Sequence, residues 1–103
     1  MSIYRSHYCS ELSSKNINAE VFLSGWIDTI RDHGNLLFID LRDNYGITQC
    51  VIDSKNPLFM AISSLTHETV IKISGKVLAR SIETTNKNIK TGDIEVNIEE
   101  FEI

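Results

Sequence analysis

Positive charge is in deficit in this sequence. Ten lysines and arginines stand against fourteen aspartates and glutamates, a net charge of −4 at pH 7. A domain that grips nucleic acid mainly through its phosphates is basic. Any nucleic-acid contact here therefore rests on a few bases read locally, or on a share of a larger surface; a role without nucleic acid stays open. No apolar run approaches the roughly 20 residues that span a bilayer, and no basic-then-apolar leader opens the chain. The expected location is cytoplasmic, with no membrane partner. The two cysteines, Cys9 and Cys50, lack any metal-ligand spacing and read as reduced, partly buried thiols. His7, His33 and His67 are scattered, with no HxH or HExxH pattern, and no glycine-rich phosphate loop is present. These absences leave no recognisable catalytic or metal site.

What remains is alternation. A chain of 103 residues, 42% apolar and 23% charged, is one globular domain with room for one hydrophobic core. In "EVFLSGWIDTIRD" Val21, Leu23 and Ile27 alternate with Phe22, Ser24 and Trp26, which predicts a strand. Gly25 inside it points to a bulge or a close backbone approach at a barrel corner. "DHGN" (Asp32–Asn35) is a turn, "LLFIDLRD" a second strand, and "DNYG" (Asp43–Gly46) a hairpin turn leading into "ITQCVI" (Ile47–Ile52). A helix is expected over Leu58–Leu65 and a short helical turn in Cys9–Asn16. "VIKISGKVLAR" (Val70–Arg80) is a long strand with a second internal glycine. A polar loop, 81–92, precedes "DIEVNIE", where the apolar phase of Ile94, Val96 and Ile98 breaks near Glu99–Glu100.

The order β-β-β-α-β-β, with glycines in the first and fourth strands, fits an all-β, five-stranded Greek-key barrel, the OB-fold, with one helix between strands three and four. An open sheet crossed by one helix ranks second.

The informative stretch is "LLFIDLRD". As a strand it aims Leu37, Ile39 and Leu41 at one face and sets Phe38 with Asp40 and Arg42 on the other. With Asn44 and Tyr45 at the hairpin tip, Asp40 faces Gln49 and Phe38 faces Val51. On the later strands Lys72, Lys76 and Arg80 point away from the core, as do Glu95 and Asn97. The outer face of strands two and three is where OB-folds hold oligonucleotides. An exposed ring there stacks on a base, an amide offers a donor and an acceptor to a base edge, and an arginine with a glutamate can read guanine. Each feature also has an ordinary explanation: an outward phenylalanine is commonly a half-buried cross-strand partner, and an Arg80–Glu95 pair a surface ion pair. On pattern alone nucleic-acid binding and an unspecified scaffold both stand, and the alternatives carried forward are an OB module binding any single strand and a protein-interaction barrel.

At this point "LSGWIDTIRDHGNLLFIDLRDNYGITQCVID" resembles the start of bacterial-type aspartyl-tRNA synthetases, in which G-W-V is followed by R-D-x-G, F-I-D-x-R-D and G-x-x-Q. "ISGKVLAR" and "TGDIEV" resemble the next two segments at suitable spacing, and the likeness runs from about Tyr8 onward. G-W and F-I-D-x-R-D recur in the asparaginyl and lysyl enzymes; "TGDIEV" favours the aspartyl branch. The resemblance implies a domain, residues 1–103, that binds the anticodon loop of aspartate tRNA. By it, Phe38 stacks on the middle uracil and Gln49 hydrogen-bonds the same base. Glu95 and Arg80 match residues at the first base, guanine. Arg31 matches an arginine in the loop after strand one, and Asn86 a polar residue near the third base. His33 stands where the family relaxes its discrimination between aspartate and asparagine tRNAs. Thr29 and Ile30 replace two frequent arginines, and Thr84 a frequent asparagine. The family continues into a class II catalytic domain, which ligates aspartate to tRNA with ATP and Mg²⁺ and forms a homodimer. Nothing in these residues resembles its ATP or aspartate pocket, so this segment is expected to select tRNA and to do no chemistry.

Overall fold

A computed structural model describes residues 6–80 and 91–103. Five strands, β1 (Glu20–Asp32), β2 (Leu36–Arg42), β3 (Ile47–Asp53), β4 (Val70–Ala79) and β5 (Ile94–Glu102), close into a barrel in the order β1-β2-β3-β5-β4. This is the OB arrangement, and closure sets aside the open-sheet alternative. The inward residues are those the alternation predicts: Val21, Leu23 and Ile27 from β1, Leu37, Ile39 and Leu41 from β2, Ile71, Ile73 and Val77 from β4, and Ile94, Val96 and Ile98 from β5 are all buried. Each such side chain contributes about 1.5–3 kcal/mol relative to exposure, so the closed core is the main source of stability. Cys9 and Cys50 lie buried in it, not joined in a disulfide, and burial pushes the Cys50 thiol well above its usual pKa.

The two strand glycines do what a small barrel needs at its corners. Trp26 pairs with Arg42 on β2 and with Val70 on β4, so β1 changes neighbours there. A Cβ on Gly25 would stand 2.3 Å from the Arg42 carbonyl oxygen, and one on Gly75 would stand 2.1 Å from that of Asn97. Neither position accepts a side chain without moving backbone. The bulges fall beside them: β1 slips register between Ile27 and Thr29, and the β4–β5 ladder slips between Ser74 and Gly75. The second slip skips Glu99 and explains why the apolar phase of β5 changes there, bringing Phe101 against the core.

Three connections depart from or refine expectation. The helix α1 spans Phe59–Ser63, shorter than the predicted Leu58–Leu65. Its start lacks a side-chain cap at Leu58, and the hydroxyls of Ser63 and Ser64 donate to the carbonyls of Met60 and Ala61, which favours ending the helix. The N-terminal turn is a 3₁₀ segment, Ser14–Asn16, closed by reciprocal Ser13–Asn16 capping. The β2–β3 hairpin is organised by Asp43, whose carboxylate accepts from the backbone N–H groups of Tyr45, Gly46 and, across the chain, Cys9. That one side chain ties the N-terminal segment to the hairpin.

The barrel is joined least extensively where β3 meets β5. These strands run parallel, with only Cys50↔Val96 and Val51↔Asn97 in register. Side chains supplement the join: the Thr91 hydroxyl donates to the Ile47 carbonyl, and the Asn56 amide to the Ile98 carbonyl at 3.2 Å.

Candidate nucleic-acid interface

The outer face of β1, β2, β3 and β5 carries two adjacent rows of side chains, and the strand registers fix their membership. One row runs Arg31, Phe38, Val51, Asn97; the next runs Thr29, Asp40, Gln49, then Glu95 beside it on β5. Rows two residues apart along a strand lie about 6.6 Å apart, within reach of a base that stacks on one and hydrogen-bonds to the other.

Membership of β1 in this face depends on its bulge. Before it, Val21, Leu23, Gly25 and Ile27 point inward. The slip at Asp28 inverts the phase, so Ile30 packs against the core while Thr29 and Arg31 turn outward. Arg31 thus sits within β1, opposite Phe38, and not in the loop after strand one as the resemblance implied. The strand ends at Asp32, which pairs with Leu37, the extent of the stretch read as a strand from the sequence.

Phe38 is half-buried among these neighbours. The His33 imidazole, in the exposed turn between β1 and β2, meets it edge to face with centroids 5.1 Å apart and planes at 84°. That turn is closed by the Asp32 carboxylate, which accepts from the Gly34 N–H, with Gly34 at φ +76°. Val51 beside Phe38 is buried, so the two form a small apolar floor.

The second row is a continuous hydrogen-bonded chain. Asp40 Oδ2 accepts from Arg31 Nη1 at 2.7 Å and from the Thr29 hydroxyl at 2.7 Å. Arg31 Nη2 donates to Gln49 Oε1 at 2.8 Å, and Gln49 Nε2 donates to Glu95 Oε1 at 3.1 Å. Gln49 is only 5% exposed, so a ligand reaching its amide has to part the side chains over it. Burial raises the Glu95 pKa, against the Gln49 hydrogen bond and the Arg80 charge, which lower it. Arg80 follows β4; its Nε donates to the Ile94 carbonyl at 2.8 Å. Burial lowers its pKa despite the nearby charges of Asp40 and Glu95.

The fold therefore gathers Phe38, Gln49, Glu95, Arg31, Arg80 and His33 on one side of the barrel. Asn86, with Thr84, lies outside the described residues. Two members of the cluster were not among the predicted site residues. Asp40 was visible opposite Gln49 in the hairpin register, but a carboxylate gave no reason to assign it. Thr29 was legible only to a reading that placed the bulge at Asp28. Elsewhere, Lys72 pairs with Glu102 at 3.4 Å. Among the described residues no group of three or more His, Cys, Asp or Glu side chains is placed to hold a metal ion, and no helix is long and apolar enough to cross a membrane.

An OB barrel with an aromatic ring and a polar row on its β2–β3 face is of the oligonucleotide-binding class. The model of the tRNA anticodon family, described as an OB-fold nucleic acid binding domain, matches residues 21–103, and the chain belongs to that family. It is 56% identical over 103 residues to the Aspartate--tRNA(Asp/Asn) ligase of Pelagibacter ubique (strain HTCC1062), covering all of this chain and 17% of that protein. The chain thus spans about a sixth of that curated relative's length. Among solved structures it resembles the asparaginyl-tRNA synthetase of Pyrococcus horikoshii complexed with asparaginyl-adenylate, at TM-score 0.78 and 26% identity, over 94% of this chain and 21% of that one. An OBody bound to hen egg-white lysozyme has the same fold, at TM-score 0.83 and 23% identity, covering 100% of this chain and 95% of its own.

Proposed function

We propose that this chain is the anticodon-binding domain of an aspartyl-tRNA synthetase and that it selects tRNA by reading bases on the β2–β3 face. The observation that carries the reading is the adjacency of Phe38 to the Arg31–Gln49–Glu95 row. A pyrimidine lying on the Phe38 ring has an amide within reach of its edge, and the next base meets a carboxylate and a guanidinium. Phe38 is the platform for the middle uracil and Gln49 reads that base. Glu95 accepts from the ring N–H and amino group of the first-position guanine while Arg80 donates to its oxygen or to phosphate. Asn86 serves the third base.

Relatives named for both aspartate and asparagine tRNA support a relaxed third-base choice, and His33 beside Phe38 is the residue assigned to it. Ligation of aspartate belongs to the remainder of a full-length enzyme, a cytoplasmic homodimer whose catalytic domain uses ATP and Mg²⁺; no residue of this chain is assigned to them. The acidic balance fits this division, since much of the tRNA contact area lies on that remainder.

The test is titration of the 103-residue chain with an anticodon stem-loop carrying G-U-C, against one with the middle base changed. Preference for G-U-C, lost on Phe38→Ala, is expected. Equal binding of both stem-loops and of unstructured oligonucleotides would leave only a barrel that binds any single strand. No RNA-induced chemical-shift change around Phe38, even at low salt, would leave a protein-interaction barrel.

A further inference from the structure

A carboxylate at the centre of an RNA-binding face is a puzzle. Asp40 points away from the core, its side chain is 18% exposed, and its charge repels phosphate. Its surroundings supply the reason. Both oxygens take the Arg31 guanidinium, Oδ2 from Nη1 at 2.7 Å and Oδ1 from Nη2 at 3.3 Å, and Oδ2 also takes the Thr29 hydroxyl. Held in this fork, Arg31 turns Nη2 onto Gln49 Oε1. We propose that Asp40 is a positioning residue for base selection: by clamping Arg31 it fixes the direction of the Gln49 amide, and that direction decides which pyrimidine the amide accepts. This rests on the anticodon reading above.

The direction is forced by chemistry. A guanidinium only donates and an ionised carboxylate only accepts. Gln49 lies between one of each, Arg31 on β1 and Glu95 on β5. Turned over, its amino group would face the guanidinium and its carbonyl the carboxylate, and both contacts would become repulsive. In the observed direction each end keeps one unused valence, a lone pair on Oε1 and a hydrogen on Nε2. A base that parts the side chains over Gln49 meets these as an acceptor and a donor in fixed order.

That order distinguishes the two pyrimidines. Uracil offers the O4 acceptor beside the N3–H donor; cytosine offers the N4–H donor beside the N3 acceptor. An amide free to turn over satisfies either base stacked on Phe38 equally well. One locked at both ends satisfies only one of them in a given stacking pose. Removing Asp40 frees Arg31, whose side chain is already 41% exposed, to leave for water. The lock then holds only at the Glu95 end.

The experiment measures the binding of wild type, Asp40→Ala, Asp40→Asn and Arg31→Lys to two stem-loops that differ only in uracil or cytosine at the middle position. Wild type is expected to prefer uracil, and Asp40→Ala to reduce that ratio roughly tenfold, within the range of one well-placed base contact. Most of the change comes from better cytosine binding. Arg31→Lys keeps the charge but replaces the planar fork, whose Nη1 and Nη2 reach Asp40 and Gln49, with a single nitrogen on a flexible stem, so it is expected to lose the ratio as well. Asp40→Asn retains an acceptor for Arg31 and is expected to restore part of it. A ratio unchanged in Asp40→Ala, whether both affinities rise with removal of a negative charge or fall together, overturns the proposal while leaving the anticodon reading intact. A wild type with no preference overturns both.

Discussion

The His33 and Phe38 rings meet in a T-shaped contact, centroids 5.1 Å apart and planes at 84°, so the half-buried ring proposed as the stacking platform is braced by a turn residue. Truncating Phe38 to alanine is expected to cost about 1–3 kcal/mol of stem-loop affinity, the range for one base–aromatic stack, while Phe38→Tyr retains most of it. His33→Ala removes the brace and the third-base role proposed for it but leaves the stacking ring, and is expected to cost less than Phe38→Ala. Fluorescence or calorimetric titration with the G-U-C stem-loop separates the two.

Glu95 sets a pH dependence with opposite signs for binding and for stability. Burial raises its pKa above 4.5, so the folded barrel holds this proton more tightly than the unfolded chain does. The favourable contribution to folding is fully present below the unfolded pKa and is lost as pH rises through the folded value. The proposed contact to guanine, by contrast, needs the ionised carboxylate. Lowering the pH from neutral toward the raised folded pKa of Glu95 is therefore expected to weaken preference for guanine over adenine at the first position. In Glu95→Gln that preference is weak and its pH dependence is absent. Paired titrations at the two pH values check it.

Asp43 behaves in the opposite sense. Burial alone would raise its pKa, but the N–H groups of Cys9, Tyr45 and Gly46 outweigh burial and hold it below its ordinary 3.8. Its contribution is present above the unfolded pKa and disappears as pH falls through the depressed folded value. Asp43→Asn is expected to destabilise the barrel by about 2–3 kcal/mol at neutral pH, the scale of hydrogen bonds to a charged group. Urea unfolding of mutant and wild type should converge in acid.

The glycines rank by geometry. Gly75→Ala drives a Cβ to 2.1 Å from the Asn97 carbonyl oxygen, whereas Gly34→Ala meets nothing within 4 Å and suffers only its positive φ. The first is expected to cost about 3 kcal/mol or more and the second about 1 kcal/mol. Thermal melting of the two variants tests the order, and equal costs would contradict the corner role of Gly75.

Period-two alternation was enough to place all five strands, and the "DNYG" turn was enough to set Phe38 against Val51 and Asp40 against Gln49. Both signals are local: a two-residue turn dictates the pairing of everything after it. Bulge positions were harder, because a one-residue slip is chosen by how the whole barrel closes. Gly25 flags the corner, but the slip falls three residues later, and the outward turn of Thr29 and Arg31 follows from it. The helix was overextended because apolar spacing carries no information about serine hydroxyls competing for its last carbonyls. Asp40 was visible and undervalued: its use emerges only when side chains from β1, β2, β3 and β5 are seen to touch.

The short parallel join between β3 and β5 has a mechanical consequence. Gln49 and Glu95 clasp hands across it, one residue outside its two paired positions. An RNA that engages both would act as a splint over the thinnest staves of the cask, so holding the anticodon and holding the vessel shut become a single event. Amide protons flanking that join should exchange soonest in the empty protein and slow most when the stem-loop is seated.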